Sequence, residues 1–213
     1  STSEAVTSNG DTFSQNKITL SQTGGNPTAA GIATNGADVN ISDTLFSANE
    51  VSDSEGSVNG VYGSAVGVVN GNLTVNQGTF TNNTSSSYRQ TQGSAIYQSI
   101  GAIDIRDSKF TNNIGQTVGS DANVTGGAVS LWGVNGTIDG SEFTGNQALN
   151  ESGSIAYGGA LYLRAGVWDS VAENDTVNFT VSNSTFSNNV AKAKSNANGG
   201  AIYAKSDRKS TRL

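Results

Sequence analysis

Two short motifs recur along the chain in one fixed phase, and that recurrence restricts the fold more than any other feature. Phe-x-x-Asn occurs at Phe13/Asn16, Phe46/Asn49, Phe80/Asn83, Phe110/Asn113, Phe143/Asn146 and Phe186/Asn189, at successive spacings of 33, 34, 30, 33 and 43 residues. Six of the seven phenylalanines are used in it. The second motif, Gly-small-Ala-aliphatic, stands at Gly63 to Val66, Gly93 to Ile96, Gly126 to Val129, Gly158 to Leu161 and Gly199 to Ile202, with a degenerate copy at Ala29 to Ile32. From the third residue of a tetrad to the next Phe is 15 residues in four consecutive repeats and 26 in the last, so one repeat carries an 11-residue insertion. Self-similarity at this period marks an array of stacked structural units.

Within a repeat the apolar residues alternate with period two, the signature of strands. After the tetrad come the inward positions Ile32, Val66, Ile96, Val129, Leu161 and Ile202, followed two residues on by Thr34, Val68, Gln98, Leu131, Leu163 and Ala204. Val39/Ile41, Leu73/Val75, Ile103/Ile105, Gly136/Ile138 and Phe179/Val181 mark a second strand, and each Phe belongs to a short third one. Asn, Gly, Ser and Thr between them supply tight turns. Three strands and three turns close one coil, which predicts an all-β fold: a right-handed parallel β-helix of about six coils of 30–34 residues, one with the 11-residue insertion. Residues 1–204 read as a single solenoid domain and 205–213 as a polar, basic tail. Stacked coils turn the motifs into ladders, with Phe in the core and Asn16, Asn49, Asn83, Asn113, Asn146 and Asn189 bonding loop backbone and each other.

Composition excludes several function classes. The chain of 213 residues has no Cys and no His, so disulfides, thiolate or imidazole metal ligands and His-based triads are absent. A net charge of −6 argues against nucleic acid as a partner. No stretch approaches the ~20 apolar residues of a membrane helix. The first residues, STSEAVTSNGDTF, lack the pattern of a signal peptide, so any export signal is expected upstream. The array opens on a Phe-x-x-Asn without a full tetrad before it and stops nine residues after Ala204, which reads as an excerpt of a longer array; a natural charged cap, SDRKSTRL, is the alternative.

Phe-x-x-Asn alternating with Gly-Gly-Ala-Ile/Leu/Val resembles the repeat of the polymorphic outer-membrane proteins of Chlamydia, over residues 13 to 202. The resemblance implies an autotransporter adhesin passenger on the bacterial surface or outer membrane, or extracellular. It would be non-enzymatic and would contact a host-cell surface protein or glycan, or like passenger domains. Two departures are the missing cysteines and the lack of room for a membrane β-barrel, so membrane attachment is expected only through regions absent from this chain.

For binding, the outward positions of the tetrad strand carry Tyr97, Tyr162 and Tyr203, with Ser130 in register between the first two; Ser99, Trp132, Arg164 and Lys205 stand two residues on. Such aromatic and basic groups can hold sugar rings or a partner's side chains, or form a cross-strand ladder without a ligand. The insertion, residues 164 to 177, adds Trp168, Asp169, Glu173 and Asp175 on a long loop. An enzymatic alternative, a polysaccharide lyase or glycosidase on the same fold, needs converging carboxylates; the candidates are Asp104, Asp107, Asp139 and Glu142 beside Arg106. Arg106 and Asp139 fall at one position of adjacent coils, which favours a surface ion pair. Calcium at Asp53 and Glu55, or at Asp169, Glu173 and Asp175, is a lesser alternative, and the reading has no cofactor, no metal and no catalytic residue.

Overall fold

A computed structural model describes residues 4–20, 28–53, 60–119, 122–153, 155–166 and 177–205. Among these residues there is no helix, and every strand pairing is parallel. The chain winds as a parallel β-solenoid through four sheets. The first has ten strands and holds both the tetrad strands, such as Val66–Val69, and the strands that precede each Phe, such as Leu73–Asn76. In two coils these merge into single strands, Ile96–Arg106 and Val129–Asp139. The second sheet stacks six Phe-centred strands from Thr12–Ser14 to Thr185–Ser187. The third runs in six strands from Lys17–Leu20 to Val190–Ala193, and the fourth in five from Val61–Tyr62 to Asn196–Asn198.

Three strands per coil was therefore too few. The third and fourth sheets are built from segments such as Thr84–Ser87 and Gln90–Gln92, whose inward residues are Ser85, Ser87 and Thr91 rather than aliphatics. The coil count also shifts slightly. Four coils, spanning 38–69, 73–99, 103–132 and 136–164, lie between neighbours on both sides. The coils before and after them stack on one side only among the described residues, and the first reaches the fourth sheet through a single bridge, Thr28 to Tyr62. About four turns are thus enclosed.

The motifs owe their form to the corners. Each residue before a ladder Asn has a left-handed backbone: Gln15, Ala48, Asn82, Asn112, Gly145 and Asn188 have φ between 54° and 67°. That conformation favours Asn and Gly, and it turns the next residue inward. At the tetrad, Gly126 has φ 72°, and a Cβ there would lie 2.2 Å from the Val129 carbonyl oxygen. Ala65, Ala95, Ala128 and Ala160 pack without exposure at the same corner.

The main core fills the space between the sheets. Phe46, Phe80, Phe110 and Phe143 are fully buried, and their ring centroids are 4.9, 4.7 and 4.6 Å apart with near-parallel planes. Phe13 and Phe186, on the outer coils, are partly buried. Beside this column Asn49, Asn83, Asn113 and Asn146 each donate to the carbonyl of the Phe one coil back and to Oδ1 of the next Asn: Asn83 to Phe46 at 3.0 Å and to Asn113 at 2.9 Å, Asn113 to Phe80 at 2.9 Å and to Asn146 at 2.9 Å.

Candidate functional site

The tetrad turn brings the end of each fourth-sheet strand against the outer side of the next tetrad strand. The residues that meet there form a second cluster, separate from the main core: Tyr97, Trp132 and Tyr162, with Tyr62, Val69, Tyr157 and Tyr203 packed on them. Register places Tyr97 beside Ser130, Ser130 beside Tyr162, and Tyr162 beside Tyr203. Tyr62 and Tyr97 have centroids 4.9 Å apart, Trp132 and Tyr162 5.7 Å, and Tyr157 and Tyr203 4.3 Å. The Arg164 guanidinium lies 4.5 Å from the Trp132 ring centroid, within cation–π range.

The strip expected to face solvent is largely enclosed. Trp132 and Tyr162 are each 3% exposed and Tyr97 is 8% exposed. Alternation along the tetrad strand assigns these residues correctly to the side away from the main core; the fourth-sheet strand, with Tyr62 and Tyr157, is what packs over that side. Trp132 Nε1 donates to Ser130 Oγ at 3.1 Å, and that hydroxyl is 3.3 Å from Thr125 Oγ1. Burial pushes the Tyr97 hydroxyl up to about 12, opposed by a hydrogen bond from Ser99, and raises Tyr62 and Tyr157 in the same direction. Gln92, between Tyr62 and Thr125 in the fourth sheet, is fully buried with neither amide atom hydrogen-bonded. Among the predicted binding residues the structure unites Tyr97, Trp132, Tyr162, Arg164 and Tyr203; Trp168, Asp169, Glu173 and Asp175 lie outside the described residues. Tyr62, Tyr157 and Gln92 escaped sequence reasoning because the fourth strand has no apolar alternation to announce it.

Three of the carboxylate candidates, Asp104, Asp139 and Glu142, accept hydrogen bonds from neighbouring side chains. Arg106 and Asp139 are register partners as expected, but Arg106 Nε bonds Asp104 at 3.0 Å on its own strand instead of pairing with Asp139. Asp139 accepts from Ser182 at 2.7 Å and Asn183 at 2.8 Å, and these bonds, chiefly the first, hold its carboxyl below the usual range. Two surface depressions, one lined by Gln116, Val118 and Leu149 and one by Lys192 and Lys194, share a single carboxylate, Glu151. Among the described residues no group of three carboxylates is placed to hold a metal ion; Asp53 is buried, and Glu55 lies outside them.

What the geometry offers is a stack of parallel coils with a repeated corner. Residues 183–205, which run from the turn before Phe186 through Asn189 to the Gly199 tetrad and its strand, match the family model described as the Chlamydia polymorphic membrane protein (Chlamydia_PMP) repeat. No curated protein and no solved structure matches the chain. The five earlier coils place their Phe and Asn in register with those of the matched segment, and the repeat of this chain resembles that of the chlamydial polymorphic membrane proteins.

Proposed function

We propose that the chain is a non-enzymatic segment of a surface-displayed, autotransporter-like passenger that binds a host-cell surface protein or glycan, or like passenger domains. The observation that carries this reading is the conjunction of the coil stack with the matched repeat: every described coil repeats the Phe and Asn pair whose last copy matches the chlamydial family. A solenoid of this kind displays the same outward positions at regular intervals along a stiff axis, which suits multivalent contact with another surface. Such a protein acts at the bacterial surface or outside the cell.

A carbohydrate-degrading β-helix is the second reading. One experiment separates them: the purified chain is screened for binding to host cells and arrayed glycans beside turnover of acidic polysaccharides. Saturable binding without product supports the passenger reading, and released oligosaccharide overturns it.

A further inference from the structure

The tyrosines are not spread evenly over the coils. Of the 6 in the chain, Tyr62 and Tyr157 stand on the fourth-sheet wall of the tetrad corner and Tyr97, Tyr162 and Tyr203 on the tetrad-strand wall, while Tyr88 lies elsewhere. The ring geometries differ. Tyr62 and Tyr97 have centroids 4.9 Å apart but planes tilted by 43°. Tyr162 lies 6.3 Å from Tyr157 and 5.9 Å from Tyr203. Tyr157 and Tyr203 are the closest tyrosine pair among the described residues, with centroids 4.3 Å apart and planes 10° from parallel.

At that separation the ring carbons of one tyrosine lie against those of the other. Burial first, and then the charge of the neighbouring Tyr203 hydroxyl, raises the Tyr157 hydroxyl, so the two phenols end close together. Asn196 Nδ2 donates to Tyr157 Oη at 3.4 Å, which leaves the phenolic proton free to depart. Both rings are half-buried, whereas Tyr97 and Tyr162 are enclosed. Tyr157 ends the strand Ile155–Tyr157 and Tyr203 stands one coil on in Ile202–Lys205, so the contact is made within this chain and needs no free end of the stack.

We infer that Tyr157 and Tyr203 form an oxidative cross-linking site, at which a one-electron oxidant joins the two rings as dityrosine and ties two successive coils. The oxidant removes one electron from each ring as the hydroxyl proton leaves. The two phenoxyl radicals then form one carbon–carbon bond between positions ortho to their hydroxyls, and the hydrogens on those carbons move to the oxygens. Two C–H bonds are lost and one C–C bond is gained; two electrons pass to the oxidant and two protons to solvent. The unpaired electron of a phenoxyl radical occupies an orbital perpendicular to the ring, so rings held face to face present those lobes to one another. Held in contact, they couple far faster than tyrosines of separate chains that must first meet. The bond closes the segment 157–203 and restricts the unfolded chain as a disulfide would, in a sequence with no cysteine. The site is independent of the receptor reading above.

The test is photo-oxidation of the purified intact chain with a ruthenium sensitiser and persulfate, followed by dityrosine fluorescence, gel mobility and peptide mapping by mass spectrometry. The expected product is a monomer lighter by two hydrogens, with Tyr157 joined to Tyr203. Tyr157→Phe keeps the ring and removes the phenol, and should lose most of the dityrosine signal. Tyr88→Phe removes the most exposed phenol and should keep that signal. The linked chain should unfold at a higher denaturant concentration than the unlinked one. Dityrosine that joins separate chains through Tyr88, a signal undiminished in Tyr157→Phe, or no dityrosine where the urea-unfolded chain yields it overturns the proposal; a link that leaves the unfolding midpoint unmoved overturns its bracing role. Should Tyr157→Phe lose its β-sheet spectrum, the peptide map of the parent decides alone, and a link at any other pair contradicts the assignment.

Discussion

Asn113 donates its side-chain amide to the carbonyl oxygen of Phe80, 2.9 Å away and one coil back, while Asn113 Oδ1 accepts from the backbone and side-chain nitrogens of Asn83. One fully buried amide thus ties three coils together, because its Nδ2 also donates to Asn146. Asn113→Ala should cost about 2–3 kcal/mol, since it leaves buried partners on both neighbouring coils unpaired. Chemical denaturation measures this; a shift of the midpoint too small to resolve would deny the ladder a stabilising role.

The residue before it behaves differently. Asn112 has φ 54°, so it is conformationally constrained though its side chain faces outward. Asn112→Gly should change stability by less than about 0.5 kcal/mol and Asn112→Ala should cost about 1 kcal/mol, the ordinary penalty for a Cβ in a left-handed turn. The two midpoints in reverse order would mean that the side chain, not the backbone, sets the preference.

Phe110 has no exposed surface and stacks between Phe80 and Phe143. Phe110→Ala should destabilise by about 3–5 kcal/mol, the usual cost of emptying a buried aromatic site. Thermal unfolding followed by circular dichroism would expose a wrong register if the transition did not move.

How much of this was legible in the sequence depends on which side of each strand is considered. The Phe and Asn columns were readable because a period near thirty residues fixes which positions stack, and period-two alternation fixes which point inward. The fourth sheet was not: Gln90-Thr-Gln92 and Asn123-Val-Thr125 are short and mostly polar, and their role emerges only once the tetrad corner brings Thr125 to the Ser130 hydroxyl that accepts from Trp132. Alternation therefore told that Trp132 faces away from the main core and could not tell that a second cluster waits there.

That cluster makes Trp132 a stability residue in the first instance. Trp132→Ala should cost about 3 kcal/mol or more, as for other large buried aromatics, whereas Tyr88→Ala, at a position 48% exposed, should be nearly silent. Equal, small effects at both positions would show the strip to be open surface.

Tyr97 gives the cluster a pH signature. Its hydroxyl ionises at about 12 in the folded chain, against an ordinary tyrosine value near 10, because burial disfavours the phenolate. The folded state keeps a proton that the unfolded state releases, so the contribution is intact below pH 10 and is lost as pH rises from 10 towards 12. A difference of this size corresponds to about 2–3 kcal/mol. Tyr97→Phe should flatten that alkaline decline; an unaltered decline in the variant would place its origin elsewhere.

The claim that this rod is a binding passenger is tested most directly by flow cytometry of host cells incubated with increasing labelled chain, with unlabelled folded chain as competitor and heat-unfolded chain as control. The account predicts saturable binding that the folded competitor displaces and the unfolded chain does not. Binding that stays linear with concentration, or that folded competitor leaves unchanged, would contradict it.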